Sequence, residues 1–194
     1  MRALAAILAT ALAVGPGHGA GERADLRARQ RTLLVLRVLG YDRNLAARAP
    51  REAIVAVLFR PGAAGSERER DEVLEALARL SDEMLAKRRR IRGAAVPVGT
   101  PAELSERLAA LRPAAAWLCG TVEHLAAEIA PVAAARKVPT MAGSRAAVEA
   151  GVAVGIVPGP RRAVILVNAA AARAQGADLD AALLGVAEMV TVRK

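Results

Sequence analysis

Cysteine, histidine and aromatic residues are all scarce in this sequence of 194 residues. It has one cysteine, two histidines and one each of Trp, Tyr and Phe. A single cysteine excludes an intrachain disulfide framework and any zinc or iron–sulfur site built from several cysteines. The low aromatic content argues against the stacking platforms that bind single-stranded nucleic acid. We therefore expect no metal, no cofactor and no nucleic-acid partner.

Apolar and charged residues make up most of what is present. The sequence is 54% hydrophobic and 24% charged, and 28 Lys and Arg residues against 19 Asp and Glu residues give a formal net charge of +9. This composition excludes a disordered tail or a low-complexity linker, and the length suits one domain with a buried core.

The first twenty residues have the pattern of a secretory signal peptide. Met1-Arg2 supplies the positive charge, Ala3–Val14 is an apolar run, and small residues follow that run. The run is too short to cross a bilayer, which takes roughly 20 apolar residues as a helix. We predict cleavage near Gly19 or Ala20, export of the protein, and a single domain over residues 21–194.

Short apolar runs alternate with amphipathic segments along the rest of the chain. Predicted strands are Ala53–Phe59, Ala94–Val98, Ala114–Cys119 and Val138–Ala142, followed by a hairpin of Val152–Val157 with Ala163–Val167. Predicted helices are Leu26–Ala49, one from Ser66, one from Thr100, Thr121 to about Lys137, Ser144–Ala150, Ala169–Gln175 and Leu179–Val190. This order predicts an α/β fold with a mostly parallel sheet flanked by helices and an antiparallel hairpin near the C-terminus.

Two of these helix starts carry a capping-box pattern. In this pattern a hydroxyl side chain and a Glu three residues later each accept a hydrogen bond from the other's main chain. Ser66-x-x-Glu69 predicts one such box. Thr100-Pro101-x-Glu103 predicts a second and adds a proline at the first helical position.

One cysteine and one histidine follow the predicted signal peptide, and they lie close together in sequence. Cys119 and His124 flank a predicted strand-to-helix turn, where a nucleophilic dyad is conceivable. Their spacing does not stack them on one helix face, and the sequence identifies no partner for the histidine. We favour a buried thiol and a surface histidine. Because phosphate-loop and nucleophile-elbow patterns are also absent, we predict no catalytic, cofactor-binding or metal-ligating residue.

The most charged stretch consists of Lys87, Arg88, Arg89, Arg90 and Arg92. Such a cluster could meet anionic lipid headgroups. The interpretation we favour is the carboxyl end of a helix, where cations complement the helix dipole, running into a solvated turn.

A second polar group, Tyr41-Asp42-Arg43-Asn44, lies near the end of the first predicted helix. It could form an interaction patch. Alternatively, Asp42 and Arg43 are solvated and Tyr41 covers the edge of the core. The sequence leaves both interpretations open.

The C-terminal third resembles the closing signature of the YfiR family, whose domain is of unknown function. In that signature a strand ends in a hydrophobic residue and Asn, followed by an Ala-Ala-Lys/Arg step, a Gly and a Leu-Leu helix. The matching residues here are Asn168, Ala171, Ala172, Arg173, Gly176, Leu179, Leu183, Leu184 and Ala187. Physically, Asn168 can cap a helix, Gly176 can end one, and the leucines can pack the last helix on the sheet.

The resemblance implies a periplasmic regulator that contacts the periplasmic domain of an inner-membrane signalling protein such as a diguanylate cyclase. Some members sense redox state through disulfides, which Cys119 alone cannot form within one chain. We expect a non-enzymatic regulatory protein with no cofactor. The alternative is a small periplasmic solute-binding protein, and the oligomeric state, a homodimer included, stays open.

Overall fold

Seven strands form one sheet in the computed structural model, which describes residues 30–84, 90–160 and 162–191. The strands are β1 (Glu52–Phe59), β2 (Arg90–Pro97), β3 (Ala115–Leu118), β4 (Thr140–Ala142), β5 (Val154–Val157), β6 (Val164–Val167) and β7 (Glu188–Met189). Their order is β2-β1-β3-β4-β5-β6-β7. Only the β5–β6 pair is antiparallel among these neighbours. The predicted fold class is confirmed.

Helices connect and flank these strands. Residues 30–40 form the described part of α1. The others are α2 (Leu45–Arg48), α3 (Ala64–Met84), α4 (Pro101–Leu111), α5 (Ala126–Arg136), α6 (Arg145–Glu149), α7 (Ala169–Ala174) and α8 (Ala181–Leu184), with a 3₁₀ turn at Gly120–Leu125 before α5. The predicted signal peptide lies outside the described residues.

The sheet is covered on both faces at its centre. The connection from β1 to β2 crosses the sheet in the opposite direction from the connection from β2 to β3. Because such crossovers are right-handed, α3 lies on one face and α4 on the other, where α4 packs against α5. All four residues of β3 and the last five of β1 are buried, as expected of continuous apolar runs in a parallel sheet.

The single helix predicted over Leu26–Ala49 is wrong, since the described helix ends at residue 40 and a turn separates it from α2. Asp42 causes the break. Its buried carboxylate accepts hydrogen bonds from the main-chain N–H groups of Asn44 and Asp178 and pairs with Arg48. These partners are available only if the chain leaves the helix at this position.

The helix predicted over Leu179–Val190 is also wrong. It shortens to α8, and the chain then extends as β7 beside β6. The N–H group of Val190 donates to the carbonyl of Val167 at 2.8 Å. Pairing with the open side of β6 satisfies main-chain groups that a longer helix would leave without partners.

The basic cluster is predicted to lie at the carboxyl end of a helix. For the described residues of the cluster, Arg90 and Arg92, this prediction is wrong. Arg90 and Arg92 lie on β2, which begins earlier than the predicted Ala94 and forms one edge of the sheet. Arg92 is exposed and contacts Glu52 on β1 at 3.4 Å. Lys87, Arg88 and Arg89 lie outside the described residues. Charged side chains on an edge strand disfavour pairing with another chain.

One of the two predicted capping boxes is confirmed. At the start of α4, the side chain of Thr100 accepts from the N–H of Glu103, and the side chain of Glu103 accepts from the N–H of Thr100. Pro101 is the first residue of the helix, as predicted. At the other start, α3 begins at Ala64, before Ser66. The Ser66 hydroxyl instead accepts from the N–H of Arg60, and Glu69 turns away from its own helix.

Glu69 joins three other parts of the fold. One oxygen accepts from the Arg31 guanidinium at 2.7 Å and from the Trp117 indole at 3.4 Å, and the other accepts from the N–H of Gly120 at 2.7 Å. The Arg31 guanidinium also lies 5.6 Å from the centre of the Trp117 ring. We call these four residues the Glu69 cluster.

The residues of the closing signature hold the C-terminal elements together. Asn168 caps α7 by accepting from the N–H of Ala171 at 3.0 Å, and its amide donates to the carbonyl of Val148 at 3.1 Å. Gly176 has a φ of +84° directly after that helix. Leu183 is buried. The predicted capping and helix-ending roles are therefore confirmed.

Replacing Asn168 with alanine should lower the free energy of unfolding, measured in urea, by about 1.5–2.5 kcal/mol. The substitution removes the cap of α7 and the side-chain donor to the buried carbonyl of Val148, which keeps a main-chain donor in the N–H of Gly151 at 3.1 Å. Ser144→Ala is the matched control, because Ser144 only caps α6 and its loss should cost about 1 kcal/mol. An N168A midpoint no lower than that of S144A would contradict the second role.

Replacing Glu69 with glutamine should destabilise the protein by about 1–3 kcal/mol, because an acceptor oxygen is exchanged for a donor beside an arginine. The readout is the urea midpoint. Glu106→Gln, at an exposed position of α4, is the control and should leave the midpoint unchanged. Equal midpoints for the two variants would show that the Glu69 cluster does not stabilise the fold.

Candidate functional site

A crevice opens at the carboxyl ends of β3, β4 and β5. It has a volume of about 650 Å³. The described residues that line it come from α1, from α3, from the segments after β3 and β4, and from the β5–β6 hairpin: Gln30, Arg31, Leu34, Glu69, Gly120, Glu123, Gly143, Ile156, Val157, Pro158 and Ala163. In open α/β sheets this edge is where ligands bind, because loops rather than helices meet there.

The Glu69 cluster forms one wall of the crevice. α3 follows β1 and Gly120 follows β3, and these two strands are neighbours whose chains continue to different helices. The Glu69 side chain is one-fifth exposed and bridges this gap to Gly120. It also holds Arg31 at the start of the described part of α1. The wall is therefore fixed by hydrogen bonds to Glu69 from α1, β3 and the turn after β3.

Glu123 forms a second anchored carboxylate. It lies in the 3₁₀ turn after β3 and accepts from the N–H of Gly143 at 2.6 Å, directly after β4. A Cβ atom at Gly143 would lie 3.2 Å from the bonded oxygen of Glu123, so glycine permits this close approach. Like Glu69, Glu123 binds a main-chain N–H group at the end of a strand.

The remaining lining is largely apolar. Leu34, Ile156, Val157, Pro158 and Ala163 contribute hydrocarbon surface on the side of α1 and the hairpin. The crevice therefore joins an apolar wall to a polar wall of fixed groups, the combination that small-molecule sites share.

Cys119 and His124 do not form a catalytic pair. Cys119 is fully buried at the end of β3, and burial, with a smaller effect of the Glu69 charge, raises the pKa of its thiol to about 12. His124 is exposed, and no hydrogen bond between described groups joins it to the thiol. The interpretation of a buried thiol and a surface histidine is confirmed.

The candidate interaction patch is divided by the fold. Asp42 is buried, so the alternative in which it is solvated is wrong. Arg43 pairs with Asp180 at 3.0 Å, Asn44 donates to the carbonyl of Gly176, and Tyr41 stays 43% exposed. Three of these side chains remain at the surface, but away from the crevice lining.

A second cavity, of about 370 Å³, has a positively charged lining. Its described lining includes Arg48, Arg112, Arg136 and Lys137. Three of these cations lie at the carboxyl ends of α4 and α5, where they complement the helix dipoles. The fold accounts for these charges without a ligand.

Neither a membrane-spanning helix nor a metal-binding cluster is found among the described residues. No helix there combines the length and apolarity needed to cross a membrane. No group of three or more His, Cys, Asp or Glu side chains in that part of the chain is arranged to hold a metal ion.

Sequence reasoning did not find the crevice. Its polar side chains come from three segments that are distant in sequence, α1, α3 and the turn after β3, and no sequence motif joins them. Glu69 was singled out, but for a local role. The available signal was the topology, since residues directly after parallel strands meet at one edge of the sheet.

Comparisons with known proteins show which structures share the fold but identify no family. No family model matches the chain, and no curated protein matches its sequence. A ligand-free, open substrate-binding protein with adhesive properties from Clostridium difficile superposes with a TM-score of 0.57 at 13% identity, covering 77% of this chain and 58% of that one. A conserved domain protein from Vibrio cholerae gives 0.62 at 14% identity, covering 84% and 60%.

A third structure, an ABC domain from Streptococcus pneumoniae in complex with L-Trp, gives a TM-score of 0.55 at 12% identity, covering 80% of this chain and 60% of that one. The chain thus spans 58–60% of the length of these three proteins. At such identities the likeness concerns architecture. It shows an α/β fold shared with proteins that include a substrate-binding protein.

Proposed function

We propose that this protein binds a small organic molecule in the crevice and acts as a binding protein. The observation that carries the proposal is a cavity of about 650 Å³ at the carboxyl ends of three adjacent parallel strands. Sites for small molecules have volumes of roughly 300–1,000 Å³ and favour this edge of α/β sheets.

The lining supports the same proposal. Apolar side chains face a few polar groups whose positions are fixed by hydrogen bonds, so a ligand would meet an organised site. The substrate-binding protein and the L-Trp complex among the similar structures also favour ligand binding. Binding without chemistry is our choice because Cys119, the one thiol, is buried and protonated.

The closing signature gives weaker support for a regulator of a membrane protein. Asn168, Ala172 and Leu183 are buried within the fold, so they explain architecture and offer no surface to a partner. Regulation of a diguanylate cyclase stays a prediction from the YfiR resemblance. A periplasmic location stays a prediction from the signal-peptide pattern of the first twenty residues, and it suits a solute-binding protein.

A panel of amino acids, amines and carboxylic acids, tested by thermal unfolding, should contain compounds that raise the midpoint. A ligand at a hundred times its dissociation constant stabilises the native state by about 2.7 kcal/mol. The increase should grow with ligand concentration. A panel in which no compound shifts the midpoint would refute the proposal.

Filling the crevice should abolish that increase. Ala163 lines the crevice and is exposed, so Ala163→Trp places an indole in the ligand space without disturbing the core. Ala170→Trp on α7 is the matched control, because Ala170 is also exposed and is not among the residues that line the crevice. We expect A170W to respond to ligand as the wild type does. A response of A163W equal to that of A170W would place the ligand elsewhere.

The Cys119 thiol should be inert in the native protein. Because burial raises its pKa to about 12, only about one thiol in ten thousand is ionised at pH 8, and labelling should increase only as the pH approaches that value. Reaction with a chromogenic disulfide reagent should be absent in buffer and reach one thiol per chain in guanidinium. Native labelling at pH 8 as fast as that of free cysteine would restore a nucleophilic role for Cys119.

A further inference from the structure

We infer that the crevice selects an organic cation with an apolar body, such as an aryl or alkyl ammonium, over a carboxylate of the same shape. This inference rests on the proposed function and names the ligand class of the same site. The main observation is that the protein's own carboxylates occupy the positions where a ligand anion would bind.

Main-chain N–H groups at the carboxyl ends of parallel strands are the usual donors to ligand anions in such folds. Here the N–H of Gly120 after β3 donates to Glu69 at 2.7 Å. The N–H of Gly143 after β4 donates to Glu123 at 2.6 Å. A ligand carboxylate would have to displace a side chain from each of these donors.

The lining charge points the same way. The ionisable residues of the described lining are Arg31, Glu69 and Glu123, so their formal charges sum to 1 − 2 = −1. Glu69 neutralises Arg31 through their ion pair at 2.7 Å. Gln30 is neutral and can donate or accept. The charge without a countercharge in the described lining is therefore the carboxylate of Glu123.

Glu123 is also placed to receive a cation. One of its oxygens is held by Gly143, and no described group donates to the other. The side chain lines the crevice and is partly buried. A fixed carboxylate with a free oxygen in such a place forms short, charge-assisted hydrogen bonds with an ammonium group.

The apolar part of the lining determines which group must be attached to the ammonium. Leu34, Ile156 and Pro158 present hydrocarbon to the same crevice as the carboxylates. A small inorganic cation would leave this surface in contact with water. An ammonium group attached to a ring or an alkyl chain satisfies both walls at once.

Two pairs of probes with matched bodies and opposite charge test this inference by titration calorimetry: tryptamine against indole-3-acetate, and hexylamine against hexanoate. We expect at least one amine to bind at least about tenfold more tightly than its acid. Glu123→Gln should weaken that amine at least about tenfold while its amide oxygen still accepts from Gly143. Glu128→Gln, at an exposed position of α5, is the matched control and should bind as the wild type does.

The failures of the two proposals can be told apart. Acids that bind as tightly as their amines would overturn the cation preference and leave the proposed function intact. Absence of binding by both pairs would also overturn it, and the amino-acid panel then decides whether the crevice binds any small molecule. Amine binding that E123Q and E128Q share equally would place the ammonium away from Glu123 and refute the assignment.

Discussion

The carboxylate of Glu69 is the acceptor that joins the elements around the crevice. It accepts hydrogen bonds from a guanidinium, an indole and a main-chain N–H group that belong to α1, β3 and the turn after β3. These elements meet where β1 and β3 lie side by side and their chains diverge. This acceptor and the contact with the Trp117 ring fix Arg31 against the sheet, while Leu36 and Leu39 bury the apolar side of α1 in the core. Together these contacts set the position of α1, which contributes part of the crevice lining.

A second set of buried polar groups organises the C-terminal elements in the same way. The side-chain oxygen of Gln175 accepts from both the N–H and the hydroxyl of Thr140, and its amide donates to the carbonyl of Gly151. Asn168 makes a comparable pair of bonds nearby. Since buried polar groups without partners are costly, these residues specify one arrangement of α7 against β4 and β5. The closing signature therefore describes architecture, whatever the protein binds.

Sequence patterns predicted what depends on neighbouring residues and failed where distant partners decide. Continuous apolar runs located β1 and β3, and Thr100 with Glu103 located the start of α4. Asp42 ended a predicted helix early because its partners include Asp178, far along the chain. The two residues of β7 are too few to show any periodicity. The polar lining of the crevice was missed for the same reason as the break at Asp42, because its groups are positioned by partners that are distant in sequence.

The net charge of the whole chain is a poor guide to the ligand, because the charges that line the crevice depend on how the chain folds. A chain with a formal charge of +9 would be expected to attract anions. Many of its arginines are instead engaged within the fold, as Arg48 is with Asp42 and with the carbonyls of Gly176 and Ala114. At physiological salt, exposed charges act over about 8 Å, so the groups that line the crevice outweigh the average over the surface. The proposed ligand class follows from which strand-end groups still have a free oxygen or a free N–H, and among the described lining residues that group is a carboxylate oxygen of Glu123.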